Sequence, residues 1–92
     1  MSRKTELSTH HRAVSDTVRI LMSRHEETVS GLARDLGDHQ PNVSAKLGGR
    51  RGWHMDDLWA LAEHYKMSPT EFLATIERTR AATEQITAPE NG

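Results

Sequence analysis

The stretch T-V-S-G-L-A-R-D-L-G-D-H-Q-P-N-V-S-A-K-L-G-G-R-R, residues 28–51, decides the fold of this chain. Its first part has apolar residues at helical spacing, which predicts a short helix with one buried face formed by Val29, Leu32, Ala33 and Leu36. Gly37 follows at once and can end that helix, because glycine accepts a positive φ without a Cβ clash. A second short helix is expected to begin near residue 40 and to end at Gly48 and Gly49. Two short helices joined by a tight glycine turn form a helix-turn-helix.

The second helix of this pair has a polar start and an apolar inner face. Asp38 or His39 is placed to accept hydrogen bonds from the free N–H groups of its first turn. Pro41 fits the first turn, because its missing N–H would have no partner there in any case. Val43 and Leu47 are four residues apart and are therefore expected together on the inner face.

The outward face of the second helix carries side chains of the kinds that recognise DNA. Gln and Asn hydrogen-bond adenine, Lys and Arg hydrogen-bond guanine, and several polar types bind phosphates. We predict base contacts from Gln40, Asn42, Ser44 and Ala45. We predict phosphate contacts from Thr28, Arg34, His39, Lys46, Arg50 and Arg51. Helix-turn-helix pairs also occur in proteins that never bind nucleic acid, so the pattern alone is a hypothesis about geometry.

The charge of the chain is divided between its two halves. The 92 residues carry a net charge of -1, but residues 1–52 hold nine Lys and Arg against six Asp and Glu. Residues 53–92 hold three Lys and Arg against seven Asp and Glu. A local basic patch, not the total charge, attracts a phosphate backbone. An excess of this size is common by chance, so the division permits DNA binding without requiring it.

The rest of the chain is expected to form three more helices, which gives an all-α fold of five. The first should cover about Thr9 to His25, where apolar residues recur at helical spacing as Val14, Val18, Leu21 and Met22. Trp53 follows a glycine-rich stretch and is expected to cover the edge of the core. The fourth helix should have an inner face of Met55, Leu58, Leu61, Ala62 and Tyr65, with Trp59 outside that stripe as a half-buried or contact residue.

The fifth helix begins with the clearest local signal in the chain. Ser68 as N-cap, Pro69 at the first helical position and Glu71 form the pattern of a capping box. Its buried side is predicted as Phe72, Leu73 and Ile76. We therefore divide the chain into a flexible arm (residues 1–9), a helix-turn-helix DNA-binding domain (residues 10–77) and a C-terminal extension (residues 78–92). That extension is expected to be helical at first and disordered from about Thr87.

Composition argues against several classes of protein. There is no cysteine, which excludes a disulfide framework and suits a reducing compartment. No apolar run is long enough for a membrane span, and the N-terminus lacks the apolar centre of a signal peptide, so we expect a cytoplasmic protein. The six histidines are scattered and form no H-x-x-x-H pair, so we expect no metal site, no cofactor and no enzymatic activity.

Four segments together resemble the lambda repressor/Cro-like (XRE) family. They are L-A-R-D-L-G (32–37), Q-P-N-V-S-A-K-L-G-G-R-R (40–51), W-H-M-D-D-L-W-A-L-A-E-H-Y (53–65) and M-S-P-T-E-F-L (67–73). The similarity covers about residues 14–77. The combination of basic residues and a tryptophan before the fourth helix most resembles small regulators of actinobacteria and their phages. The resemblance implies a compact five-helix DNA-binding domain in which helices two and three form the motif and helix three enters the major groove. Family members usually repress transcription as dimers on palindromic operators.

The resemblance assigns roles to individual positions. Ala33 matches the small residue where the two helices cross, and Gly37 matches the glycine of the turn. Gln40 matches the glutamine that commonly contacts an operator base. The positions that face the groove are matched by Asn42, Ser44 and Ala45.

Three departures from the family pattern affect the second helix of the motif. His39 stands where the family often has a hydroxyl residue, so the N-cap residue of helix three is undecided. Pro41 lacks an N–H that could otherwise donate to a phosphate. Lys46 stands where many members bury an aliphatic residue. The sequence therefore leaves undecided which side of helix three is turned to the DNA, by up to one residue or about 100° of rotation.

The expected partner is double-stranded DNA, bound by a homodimer, and no membrane or small-molecule ligand is expected. The alternative is an antitoxin or another protein-interaction module on the same fold. In that case residues 78–92 would bind a partner protein, with Trp59 or Ile86 as an anchor.

Overall fold

The computed structural model describes residues 8–87 of the chain, with the side chains of residues 8–84. Residues 8–87 are all-helical and contain no strand, which confirms the predicted all-α class. The helices are α1 (Thr9–Arg24), α2 (Val29–Leu36), α3 (Gln40–Leu47), α4 (Met55–His64) and α5 (Pro69–Thr87). Most of the predicted arm and the last five residues of the predicted tail lie outside the described residues.

Local sequence signals fix the beginnings of three helices. Thr28 Oγ1 accepts a hydrogen bond from the Gly31 N–H at 3.0 Å, which caps α2. At α5 the predicted capping box is confirmed, since the Glu71 N–H donates to Ser68 Oγ and the Ser68 N–H donates to Glu71 Oε1, both at 3.1 Å. Ser8 Oγ caps α1 as Thr28 caps α2, by accepting a hydrogen bond from the His11 N–H, although no cap was predicted there.

One apolar core joins all five helices. Its largest fully buried side chains include Phe72, Leu32, Leu61, Val18 and Val43. Helix α1 packs against α5 and α3, α2 packs against α3 and α4, and α4 packs against α5. None of the helices within residues 8–87 combines the length and apolar character that a membrane crossing requires.

The structure corrects three predictions about this core. Met55 and Leu73 were predicted on inner faces, but their exposed fractions are 66% and 49%. Met55 is the first residue of α4, and the covered stripe of that helix begins only with the partly buried Leu58. Leu73 lies about 100° around α5 from the buried Phe72, outside the stripe that Phe72 and Ile76 form. Trp53 is buried in the core rather than at its edge.

Candidate nucleic-acid interface

The turn between α2 and α3 depends on Gly37 and on the carboxylate of Asp38. Gly37 has a φ of 71°, in the left-handed region that the sequence predicted, and its N–H donates to the Arg34 carbonyl at 3.1 Å. The Asp38 N–H donates to the Ala33 carbonyl at 2.8 Å. These two bonds satisfy carbonyls at the end of α2 and turn the chain into α3.

Asp38, not His39, is the acceptor at the start of α3. Its Oδ1 accepts a hydrogen bond from the His39 N–H at 2.7 Å, and the His39 side chain caps nothing. The hydrogen bond from the His39 N–H is the largest cause of the lowered pKa of Asp38, and burial opposes it. The hydrogen bond from Asn42 and the charges of Lys46 and His39 lower this pKa further. The turn therefore holds a stabilised negative charge.

Asn42 is predicted to contact a base, and in the structure its amide is engaged within the turn. Its Nδ2 donates to both oxygens of Asp38, at 2.9 and 3.1 Å, and the side chain is half-buried. The reason is its position four residues after Asp38, one turn of helix along the chain. Asn42 therefore helps to hold the turn, and its amide N–H₂ group is not free to donate to a base.

The structure also corrects the prediction for Lys46. The residue is only 5% exposed, and its Nζ lies 2.7 Å from Asp57 Oδ2 and 4.0 Å from Asp38 Oδ2. The ammonium also lies 5.8 Å from the centroid of the Trp53 ring. Because the inner face of α3 meets these acids and this ring, Lys46 points inward and cannot meet a phosphate from that position.

Two residues of α1 that sequence reasoning missed hold the end of α3. Ser15 Oγ donates to the Lys46 carbonyl at 2.9 Å and accepts a hydrogen bond from Trp53 Nε1 at the same distance. Arg19 Nη2 donates to the Leu47 carbonyl at 3.0 Å. A cation at this end of a helix satisfies its last carbonyls and complements its dipole. No local pattern indicates these bonds, since the partners are about 30 residues apart in sequence.

The side chains that remain on the outside of α3 form a small polar surface. Gln40, the first residue of α3, is exposed, and Ser44 and Ala45 are half-buried. Arg50 and Arg51 are also exposed, and their backbone N–H groups donate to the Ala45 carbonyl at 2.8 and 3.2 Å. The chain therefore folds back on the end of α3 and keeps both arginines beside it.

Three further residues that were predicted to contact phosphates are exposed. The side chain of Arg34 is 78% exposed, with its Nε 3.9 Å from Asp35 Oδ1. The His39 side chain makes no cap hydrogen bond at the start of α3, and the hydroxyl of Thr28 caps α2. We call the residues Arg34, His39, Gln40, Ser44, Ala45, Arg50 and Arg51 the α3 surface.

No protein-family model, no curated protein and no solved structure matches this chain.

The α3 surface can supply hydrogen bonds and positive charge at once. Gln40 offers both an amide donor and an amide acceptor, and Ser44 offers a hydroxyl one helical turn later. Within residues 8–84, the guanidinium groups of Arg50 and Arg51 have no ion pair with an acid. An anionic partner can therefore bind them without breaking an existing pair.

Proposed function

We propose that this chain is a sequence-specific regulator of transcription that binds double-stranded DNA, with α3 in the major groove. The proposed activity is repression of the Cro and phage-repressor type, as the resemblance to the lambda repressor/Cro-like family implies. The observation that carries the proposal is the position of Gln40, exposed at the first residue of α3. In helix-turn-helix proteins the N-terminal residues of the second helix contact base edges.

The geometry of α3 supports a role as a recognition helix. An α-helix with its side chains is about 10–12 Å across, and the major groove, about 12 Å wide, admits it. The inner face of α3 is anchored in the core by Val43, Lys46 and Leu47, so its outer face is held in one orientation. Base contacts are accordingly proposed for Gln40, Ser44 and Ala45.

Phosphate contacts are proposed for the exposed basic residues around α3. Arg50 and Arg51 at one end and Arg34 on α2 can neutralise phosphates, and His39 adds charge when it is protonated. Lys46 does not contribute, because its charge is neutralised inside the protein. This leaves a weak basic patch on one chain, and we propose that two copies bind a palindromic operator together.

A second candidate function is a protein-interaction module, and one observation favours it. Met55 and Trp59 are one helical turn apart on α4 and are 66% and 51% exposed. Large exposed apolar side chains on one helix face are typical of protein contact surfaces. The same pair could serve the proposed dimer, so it does not by itself separate the two functions.

Selection from a random pool of DNA duplexes, with the purified chain at about 150 mM salt, tests the proposal because salt suppresses nonspecific electrostatic binding. We expect a consensus with two half-sites separated by about one helical turn, roughly 10 base pairs. A single half-site would overturn the dimer and keep the DNA-binding function. If no sequence is enriched, the DNA-binding proposal is wrong and the interaction module takes its place.

A further inference from the structure

Three ligand-type side chains from separate elements meet between the α1–α2 turn, α2 and the end of α4. They are Glu27 in the turn, Asp35 in α2 and His64, the last residue of α4. One ligand atom from each residue can be chosen so that all three lie within 4.8 Å of one another. We call these three residues the Glu27 cluster, which lies outside the α3 surface.

Two members of the Glu27 cluster are already in contact. His64 Nε2 lies 2.5 Å from Glu27 Oε2, and the two side chains are 17% and 16% exposed. Both groups are therefore oriented in a largely covered site before any ligand binds. The imidazole nitrogen and the carboxylate oxygen are hydrogen-bonded at this separation, and both are atom types that bind cations in proteins.

Tyr65 holds the Glu27 carboxylate in place from the other side. Its hydroxyl donates to Glu27 Oε1 at 2.7 Å, and its ring packs edge-on against His64 with centroids 4.6 Å apart. Burial is the largest cause that raises the pKa of Tyr65, and the Glu27 carboxylate raises it further, so the hydroxyl remains a donor. Such outer hydrogen bonds orient the ligands of metal sites in proteins.

Asp35 is the member of the Glu27 cluster that faces solvent. Its side chain is about half exposed, and the contact to Arg34 Nε at 3.9 Å is a weak surface pair. In a tetrahedral zinc site, bonds of about 2.0–2.2 Å place ligand atoms roughly 3.3 Å apart. Binding an ion therefore requires Glu27 and His64 to separate from 2.5 Å and the three ligand atoms, which lie within 4.8 Å of one another, to reach that spacing. Water can fill the remaining positions.

We propose that Glu27, Asp35 and His64 bind a divalent transition-metal cation of the Zn²⁺ class. One imidazole nitrogen with two carboxylate oxygens suits Zn²⁺, Co²⁺, Ni²⁺ or Mn²⁺, whereas Mg²⁺ and Ca²⁺ prefer oxygen ligands alone. This site does not depend on DNA binding by the chain.

The ion would connect elements that are distant in sequence. Glu27 and His64 are 37 residues apart, and Asp35 lies in the helix that leads through Gly37 into α3. Because the ion binds the folded arrangement of these three residues, it stabilises the folded state over the unfolded chain. The expected consequence is a metal-dependent rise in thermal stability, with α2 tied to the end of α4.

Titration of the full chain without an affinity tag tests the site directly. Calorimetry with Zn²⁺ should show one equivalent bound, the visible spectrum of added Co²⁺ should change, and Zn²⁺ should raise the Tm. Asp35→Asn and His64→Gln should each weaken Zn²⁺ binding at least about tenfold. Asp35→Asn is the deciding variant if His64→Gln fails to fold, because Asp35 is exposed and its replacement is the same size.

Matched variants separate this site from adventitious binding by surface histidines. Glu63→Gln removes the exposed carboxylate next to His64 in sequence, and His54→Gln removes an exposed imidazole at the start of α4. Both variants should bind Zn²⁺ as the unmodified chain does. The proposal is overturned if Zn²⁺ does not bind at a tenfold molar excess. It is also overturned if Asp35→Asn binds unchanged, or if the control variants lose as much affinity as Asp35→Asn.

Discussion

The two faces of α3 use the same kinds of side chain for opposite purposes. On the inner face, Lys46 is buried against Asp57 and Trp53, and Asn42 at the edge of that face donates to Asp38. On the outer side, Gln40 is exposed, and Arg50 just past the helix is exposed as well. Residue type alone therefore does not tell which cation or amide is available to a ligand.

The buried Lys46 is tolerated because its surroundings replace the water it loses. A charge in a protein interior is costly unless it is paired and hydrogen-bonded. Asp57 Oδ2 accepts from Lys46 at 2.7 Å and also accepts from the His54 N–H at 2.8 Å at the start of α4. One carboxylate thus connects the inner face of α3 to the first turn of α4.

The largest expected effect comes from removing the charge on the inner face. Lys46→Ala should lower the free energy of unfolding by about 3 kcal/mol, because Asp57 loses its partner and the stem of the side chain leaves a cavity. Urea denaturation followed by circular dichroism measures this loss. Lys46→Met fills most of the cavity and should lose less.

Arg51→Ala is the matched control, since it removes an exposed cation from the same segment. It should change the free energy of unfolding by less than about 0.5 kcal/mol. If Lys46→Ala costs no more than Arg51→Ala, the contrast between the two faces does not hold.

The next largest effect should come from the outer face and should leave folding unchanged. Gln40→Ala should weaken binding to the selected duplex by about 1–3 kcal/mol, because the amide proposed to pair with a base edge is removed. Binding to random DNA should stay within error of the unmodified chain. Fluorescence anisotropy with both duplexes measures the difference, and equal losses on both would remove Gln40 from the base contacts.

Local signals in the sequence were sufficient for most of the helical framework. Thr28, Gly37 and the pair Ser68 and Glu71 act on residues at most a few positions away, so their roles could be predicted from spacing. Helical spacing also identified the central core residues. It did not indicate how wide a face is covered, and for that reason the predicted inner position of Leu73 is wrong.

Two pairings could not be predicted from the order of the sequence. Lys46 meets Asp57 eleven residues later, and Glu27 meets His64 and Tyr65 more than 35 residues later. Both pairings depend on how whole helices pack. The only signal for Lys46 was that a lysine stood where an aliphatic residue was expected, together with acids in the first turn of α4.

A smaller effect is expected from the turn that positions both faces. The lowered pKa of Asp38 means that its ionised form is favoured in the folded state, so its contribution to stability is complete above about pH 4 and is lost as the pH falls below its folded pKa. Asp38→Asn should lower the free energy of unfolding by about 1 kcal/mol at pH 6, because a charge-assisted hydrogen bond becomes a neutral one. The two stability curves should approach each other below about pH 4.

Asp35→Asn provides the comparison for that variant in metal-free buffer, because the Asp35 carboxylate has only a weak surface contact to Arg34. Its effect on the free energy of unfolding should be smaller at pH 6. A difference between Asp38→Asn and the unmodified chain that persists unchanged at about pH 2.5, roughly 1.4 units below the ordinary pKa of aspartate, would mean that the Asp38 charge does not stabilise the turn.

The smallest expected effect separates phosphate contacts from base contacts on the outer side of α3. Arg50→Ala should weaken binding to the selected duplex and to random DNA alike, and it should reduce the slope of log K against log salt by about one unit for each phosphate that the arginine neutralises. Arg78→Ala on α5 is the control, since it removes an arginine outside the α3 surface and should leave the slope unchanged. At high salt the Arg50→Ala variant and the unmodified chain should converge, because counterion release then contributes little to binding. Gln40→Ala should keep its full loss on the selected duplex under the same conditions. If the two variants respond to salt in the same way, the outer side of α3 does not divide into base-reading and phosphate-binding positions, and only its contrast with the buried inner face remains.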